Sequence, residues 1–149
     1  MKILLPVDGS DLSLQAARFV VRLASQGLRT EVVLVNVQEP ASLYELVVAH
    51  DVDVLERVVA EAGAHALSAA EALLREARIA FDSEVAKGDP ARSLIDMVER
   101  FGCDLVVMGA RGHGDLRSAL LGSVSHEVLH ACAVPVMIVK PEAEEDAVV

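Results

Sequence analysis

Two stretches of this chain carry residue types that can bind phosphate groups. Gly109–Gly114 is a glycine-rich loop after a short apolar run, and Gly122 and Ser123 open a segment with helical spacing. Glycine lets backbone N–H groups approach a phosphate oxygen, because no Cβ stands in the way. The first turn of a helix offers unpaired N–H groups and the positive end of the helix dipole. Together the stretches predict a phosphate site, with a surface loop and an ordinary capping serine as the alternative.

The common phosphate-binding motifs do not account for these glycines. The sequence contains no GxxxxGK[ST]. A GxGxxG interpretation of Gly112 and Gly114 fails, because Arg117 stands where the third glycine is required. Asp8, at the end of the first apolar run, could accept hydrogen bonds from ribose hydroxyls. The alternative for Asp8 is a local turn that starts the next helix.

The elements that must position these residues alternate between strand and helix. Apolar runs predict five strands, at 2–7, 31–37, 79–85, 105–108 and 135–139. Between them, apolar residues recur at intervals of three or four, which predicts helices. Asp89 and Pro90 mark the start of one helix, and Gly102 marks its end. The longest helix is expected at about 47–78, with Gly63 inside it at a cost of about 1 kcal/mol relative to alanine.

This alternation predicts an α/β fold with a single doubly wound, five-stranded parallel sheet, strand order 3-2-1-4-5, and helices on both faces. Ligands bind such Rossmann-like sheets beyond the carboxyl ends of the strands, where the strand order reverses. Here that place lies between strands one and four, where Asp8 and Gly109 are found. We expect one domain at 1–141, followed by an acidic, solvated tail at 142–149.

The composition excludes several classes of function. The chain has 149 residues and a net charge of −10, with three phenylalanines, one tyrosine and no tryptophan, which argues against nucleic acid binding. No apolar run is long enough to cross a bilayer, and the first acidic residue comes too early for a signal peptide. We therefore expect a cytoplasmic protein with no membrane association. Cys103 and Cys132 form no CxxC pair and are expected to be buried thiols.

A competing motif lies in the last predicted helix. His126, Glu127 and His130 fit H-E-x-x-H, in which two histidines share a helix face and the glutamate acts as a base in zinc catalysis. The polar face of this helix is expected to be exposed, and no third ligand is evident within reach. The positions expected to pack inward are Val124, Val128 and Ala131. A zinc hydrolase is therefore the less favoured alternative.

The combination of these features resembles the universal stress protein family, in its single-domain, ATP-binding form. Family members that bind ATP carry G-x2-G-x9-G-[ST] after the fourth strand. Gly109, Gly112, Gly122 and Ser123 match this pattern. The first and last predicted strands also resemble those of the family, so the resemblance covers nearly the whole chain.

The resemblance implies a site for ATP together with Mg²⁺, built mainly from backbone and aliphatic groups. Asp8 would contact the nucleoside, Val37 would frame the adenine, and the turn at Gly122 would surround the phosphates. Arg111 and His113 lie in the loop and would screen the triphosphate charge. The implied site residues are Pro6, Val7, Asp8, Val37, Met108, Gly109, Arg111, Gly112, His113, Gly122, Ser123, Val124 and Ser125.

The resemblance also implies a homodimer, in which the edge strand 135–139 pairs antiparallel with its copy across a two-fold axis. The sequence places no general base for a named substrate. We therefore expect a regulatory or stress-response module with at most slow ATP hydrolysis, rather than a dedicated enzyme. Its protein partners are not identified by the sequence. The alternative within the same fold is a protein-interaction module that binds no nucleotide.

Overall fold

The computed structural model describes residues 1–40, 52–112 and 121–141. Within these ranges the elements are β1 (Lys2–Pro6), α1 (Asp11–Ser25), β2 (Glu31–Gln38), α2 (Val52–Glu76), β3 (Ala80–Lys87), α3 (Pro90–Phe101), β4 (Leu105–Gly109), α4 (Ser123–Ala131) and β5 (Val136–Val139). The strands form one parallel sheet with the order β3-β2-β1-β4-β5. This architecture confirms the predicted fold class and strand order.

The observed elements differ from the predicted ones mainly at their ends. β2 and β3 both continue past their predicted ends, because they pair in register from Glu31 and Ala80 to Gln38 and Lys87. The first residues predicted for the long helix, 47–51, lie outside the described part of the chain. In the ranges that the structure does describe, no helix is long and apolar enough to span a bilayer.

Alternate residues of β1 belong to two separate cores. Ile3 and Leu5 face α1 and α2, whereas Leu4 faces α3 and α4, and all three are fully buried. A strand that is covered on both faces needs apolar residues at every position. This burial explains why the central strands read as continuous apolar runs rather than as alternating patterns.

Capping residues determine where α1 and α3 begin. The Ser10 hydroxyl accepts a hydrogen bond from the Ser13 N–H at 3.2 Å, and the Asp89 carboxylate accepts one from the Arg92 N–H at 3.0 Å. α3 ends at Gly102, whose backbone is left-handed with φ of +63°. These contacts confirm the predicted start and end of α3.

Gly63 allows α2 to lie close to the sheet. A Cβ at this position would be 2.5 Å from Cγ1 of Val85 on β3 and 3.1 Å from Oδ1 of Asn36 on β2. The space that a side chain would need is already filled. The glycine therefore serves the packing of α2 against two strands.

Two expectations about burial are wrong. Ala131 does not pack inward but is exposed, since it is the last residue of α4, after which the chain turns towards β5. Cys132 is half-buried rather than buried. Cys103 is buried as expected, and this burial raises the pKa of its thiol, because a thiolate is poorly solvated in an apolar core.

Candidate functional site

A cavity of about 280 Å³ opens at the carboxyl edge of the sheet, at the ends of β1 and β4. The strand order reverses here, because β1 continues through α1 to β2 on one side while β4 lies on the other. A helix that follows a parallel strand begins at this same edge, so α1, α3 and α4 all start beside the cavity. The cavity is lined by Pro6, Val7, Asp8, Ser13, Val37, Glu39, Pro90, Leu94, Met108, Gly109, Arg111, Gly112, Gly122, Ser123, Val124 and Ser125.

The first turn of α4 meets the cavity without a side-chain cap. Its N-cap is Gly122, which has an extended backbone with φ of −65° and ψ of 161°, and no side-chain hydrogen bond caps this helix end in the described part of the chain. α1 and α3 differ, because Ser10 and Asp89 cap their first turns. The first-turn N–H groups of α4, at 123–125, are therefore the donors of this edge that are best placed for an anion.

Hydrogen bonds position the start of the glycine-rich loop and the N-cap of α4 at the end of β4. The Ala110 N–H donates to the Val139 carbonyl at 2.9 Å, and the Gly122 N–H donates to the Ala110 carbonyl at 2.8 Å. The buried hydroxyl of Ser125 donates to the Gly109 carbonyl at 2.8 Å. These bonds hold the first turn of α4 beside the end of β4, which gives the candidate phosphate site a rigid support.

The carboxylate of Asp8 makes a local turn and also lines the cavity. Its Oδ1 accepts a hydrogen bond from the Ser10 N–H at 2.9 Å, which is the turn considered as an alternative in the sequence. Its Oδ2 lies against Gly112 so closely that a Cβ there would overlap it. The two interpretations of Asp8 are thus compatible, because the turn holds the carboxylate at the edge of the cavity.

A buried amide aligns the ends of β1 and β2. Asn36, which is 3% exposed, donates a hydrogen bond from Nδ2 to the Val7 carbonyl at 2.8 Å. The side-chain amide of Gln38 donates to Oδ1 of Asn36 at 2.6 Å. Val7 and Val37, at these strand ends, both line the cavity. Asn36 could have been identified from the sequence as a buried polar contact, because it is a single polar residue inside an apolar run.

The structure brings together almost all of the residues predicted for the site. His113 lies outside the described residues, and every other predicted site residue lines the cavity. Their contacts with a nucleotide stay a prediction.

Four lining residues were not predicted: Ser13, Glu39, Pro90 and Leu94. Ser13, in the first turn of α1, donates its hydroxyl to the Ser10 carbonyl at 2.9 Å. Pro90 and Leu94 belong to the first half of α3, and Glu39 follows β2. These four residues could have been predicted from the topology, because helix starts and strand ends meet at the carboxyl edge of a parallel sheet.

The histidines of the H-E-x-x-H motif lie on exposed turns of α4. His126 and His130 have ring centroids 4.8 Å apart, and neither lines the cavity. Among the residues that the structure describes, no group of three His, Cys, Asp or Glu side chains is placed to hold a metal ion. His50 and His113 lie outside those residues.

Sequence comparisons relate the whole chain to one family. The model of the universal stress protein family matches residues 1–140. Universal stress protein MJ0531 of Methanocaldococcus jannaschii is 31% identical over 144 residues, which cover 97% of this chain and 84% of that protein. Universal stress protein YxiE of Bacillus subtilis is 32% identical over 146 residues, which cover 93% of this chain and 98% of that protein.

Solved structures of universal stress proteins share the fold. UspA from Lactobacillus plantarum gives a TM-score of 0.78 at 22% identity, over 93% of this chain and 97% of that one. A universal stress protein in complex with cAMP gives 0.62 at 22% identity, over 93% and 95%. An Arabidopsis thaliana family member with AMP bound gives 0.66 at 19% identity, over 97% and 94%. At identities this low, the likeness shows a shared fold only.

Proposed function

The chain belongs to the universal stress protein family, and we propose that it is an ATP-binding regulatory or stress-response module. The observation that carries the proposal is the first turn of α4, which no side chain of the described residues caps and which faces a cavity at the reversal of strand order. A cavity at this place is where α/β sheets bind nucleotides. The G-x2-G-x9-G-[ST] pattern, which ends in this turn, favours a triphosphate.

Backbone groups would bind the phosphates. The N–H groups at 123–125 and the positive end of the α4 dipole favour an anion, and the N-cap residue Gly122 carries no Cβ that an oxygen would meet. Arg111 also lines the cavity and adds a positive charge. Mg²⁺ would accompany the triphosphate, since the Ser123 hydroxyl beside the phosphates is an oxygen ligand of the kind that it prefers.

Aliphatic side chains would hold the base. Pro6, Val7, Val37 and Met108 line the part of the cavity formed by the strand ends. Asp8 would accept a hydrogen bond from a ribose hydroxyl. The family members solved with cAMP and AMP have this fold, so the fold is able to hold an adenine nucleotide.

Hydrolysis of ATP would be slow at most. Among the described lining residues, the side chains that could act as a general base are Asp8 and Glu39. Asp8 is held by the Ser10 N–H and by its contact with Gly112. ATP is therefore proposed as a bound signal rather than as the substrate of a dedicated enzyme.

We further propose that the protein is a cytoplasmic homodimer that pairs through β5. This strand is the last in the sheet order, and its four residues are apolar and half-buried. An apolar edge strand readily pairs with a second chain. The domain at 1–141 and the solvated tail at 142–149 remain part of the same proposal, and the tail lies outside the described residues.

Calorimetric titration of nucleotide-free protein with ATP and Mg²⁺ tests the function. We expect one ATP per chain, weaker binding of GTP, and ATP in the mass spectrum of whatever nucleotide co-purifies. Gly122→Val should weaken ATP binding at least about tenfold, or about 1.4 kcal/mol, because the side chain enters the phosphate turn. Ala131→Val, at the exposed opposite end of α4, is the matched control and should bind normally.

Absence of both heat and co-purifying nucleotide would instead support the interaction module that binds no nucleotide. Unchanged affinity in a folded Gly122→Val variant would show that the phosphates bind elsewhere.

A further inference from the structure

His126 and His130 form a pair that the proposed nucleotide site does not use. They are four positions apart on α4, so their side chains lie one above the other on the same helix face. Both are exposed, and their ring centroids are 4.8 Å apart. Neither of them lines the cavity. Any function of this pair is therefore separate from the proposed nucleotide site.

Two imidazoles at this spacing can chelate a metal ion. Neutral imidazole nitrogen is a preferred ligand of Zn²⁺, Ni²⁺ and Cu²⁺. Metal–nitrogen distances of about 2 Å require the two ligating nitrogens to lie roughly 3 Å apart. The rings of His126 and His130 are close enough for this, although they now meet edge to face at an interplanar angle of 67°. Because both side chains are exposed, rotation into a chelating arrangement meets little steric resistance.

The surroundings of the pair indicate what kind of site it can be. Among the described residues no third His, Cys, Asp or Glu completes a cluster with these histidines. A closed tetrahedral zinc site needs four protein ligands, and a catalytic one needs three. The described ligands therefore support an open, two-histidine site, in which water molecules fill the remaining positions of the ion.

We propose that His126 and His130 form a surface chelate for a divalent transition-metal ion. Binding should be tightest for Cu²⁺ and should follow the general order of these metals for nitrogen ligands. Mg²⁺ and Ca²⁺ should not bind here, since they prefer oxygen. The ion would link two successive turns of α4 and stabilise the folded chain by mass action.

Calorimetric titration of the tag-free, nucleotide-free full chain with Ni²⁺ tests the chelate. We expect one site whose affinity falls at least tenfold in both His126→Gln and His130→Gln, because a single imidazole cannot chelate. These exposed substitutions should leave the melting temperature of the metal-free protein unchanged. His65→Gln, at an exposed histidine of α2, and Cys132→Ser are the matched controls and should bind Ni²⁺ as the wild type does.

Paramagnetic broadening by substoichiometric Cu²⁺ locates the ion independently. In the amide NMR spectrum, the signals of α4 should broaden first, and this broadening should disappear in His130→Gln. Wild-type Ni²⁺ affinity in either α4 variant, or broadening centred on another element, would overturn the proposal. Neither result depends on whether ATP binds, so the chelate and the nucleotide site can fail separately.

Discussion

At the residue scale, the carboxylate of Asp8 and the backbone of Gly112 share one small space at the edge of the cavity. A Cβ at Gly112 would overlap Oδ2 of Asp8. We expect Gly112→Ala to displace this carboxylate and to weaken ATP binding about tenfold, which is about 1.4 kcal/mol. Titration calorimetry with ATP measures the change.

A double-mutant cycle tests this reason for the effect. Asp8→Ala removes the carboxylate and leaves room for the new methyl group. If Gly112→Ala acts by displacing Asp8, the double variant should bind ATP no more weakly than Asp8→Ala alone. Additive losses from the two substitutions would show that Gly112 acts in another way.

A second prediction at this scale concerns the buried hydroxyl that joins α4 to β4. Ser125 donates a hydrogen bond to the Gly109 carbonyl at 2.8 Å. Ser125→Ala should lower the free energy of unfolding by about 1 kcal/mol, because a buried carbonyl loses its partner. Urea denaturation measures the loss.

Ser68→Ala provides the matched control for Ser125→Ala. The Ser68 hydroxyl also donates to a helix carbonyl, that of His65 at 2.7 Å, but it is exposed to solvent. Water can replace this bond, so the control should lose little or no stability. Equal losses in the two variants would contradict the role that we assign to burial.

At the scale of elements, the close packing of α2 against the sheet should reverse the usual effect on stability of replacing a helix glycine by alanine. In an exposed helix, replacing glycine by alanine stabilises by about 1 kcal/mol. At Gly63 the new Cβ would lie 2.5 Å from Cγ1 of Val85 on β3. Valine is stiff at χ1, so the contact is not easily relieved. Gly63→Ala should therefore destabilise the protein by about 1 to 3 kcal/mol, as measured by urea denaturation.

The same substitution in a Val85→Ala background provides the control. Val85→Ala removes both methyl groups that the new Cβ would meet. In that background the loss caused by Gly63→Ala should shrink or become a gain, as helix propensity predicts. A loss as large as that in the wild-type background would place the strain elsewhere.

At the scale of the whole molecule, β5 is the strand that could pair with a second chain, because it is the last described strand of the sheet. The carbonyls of Pro135 and Val139 accept hydrogen bonds from the β4 side. Because successive residues of a strand point their backbone groups in opposite directions, those of Val136 and Ile138 point away from β4, towards the edge that no other described strand covers. A second copy of β5 could pair with these groups.

Ile138→Pro tests the proposed dimer. Proline is tolerated in an edge strand where its N–H would face away from the sheet, but it cannot donate to a partner strand. We expect sedimentation equilibrium to show a monomer with a folded chain. Ile138→Ala, which keeps the N–H, should remain a dimer. A proline variant that is still dimeric would place the interface on another surface.

Local patterns in the sequence were enough to predict much of the fold. The strand order and fold class could be predicted because strands buried on both faces are continuously apolar, and because alternating strands and helices form a parallel sheet. The start and end of α3 could be predicted from Asp89 and Gly102, whose effects act within one turn of helix. The position of Gly109, Gly112 and the first turn of α4 beside the cavity could also be predicted, since these residues lie at or after the end of β4 in the sequence.

Contacts between distant segments were decided only by the tertiary structure. The lining of the cavity by Glu39, Pro90 and Leu94, the overlap that Gly112 avoids with Asp8, and the exposure of Ala131 depend on how whole elements pack. Whether a substitution at Gly63 raises or lowers the stability also depends on this packing. Local propensity is a property of a few adjacent residues, whereas close packing depends on atoms that folding brings together from remote parts of the chain.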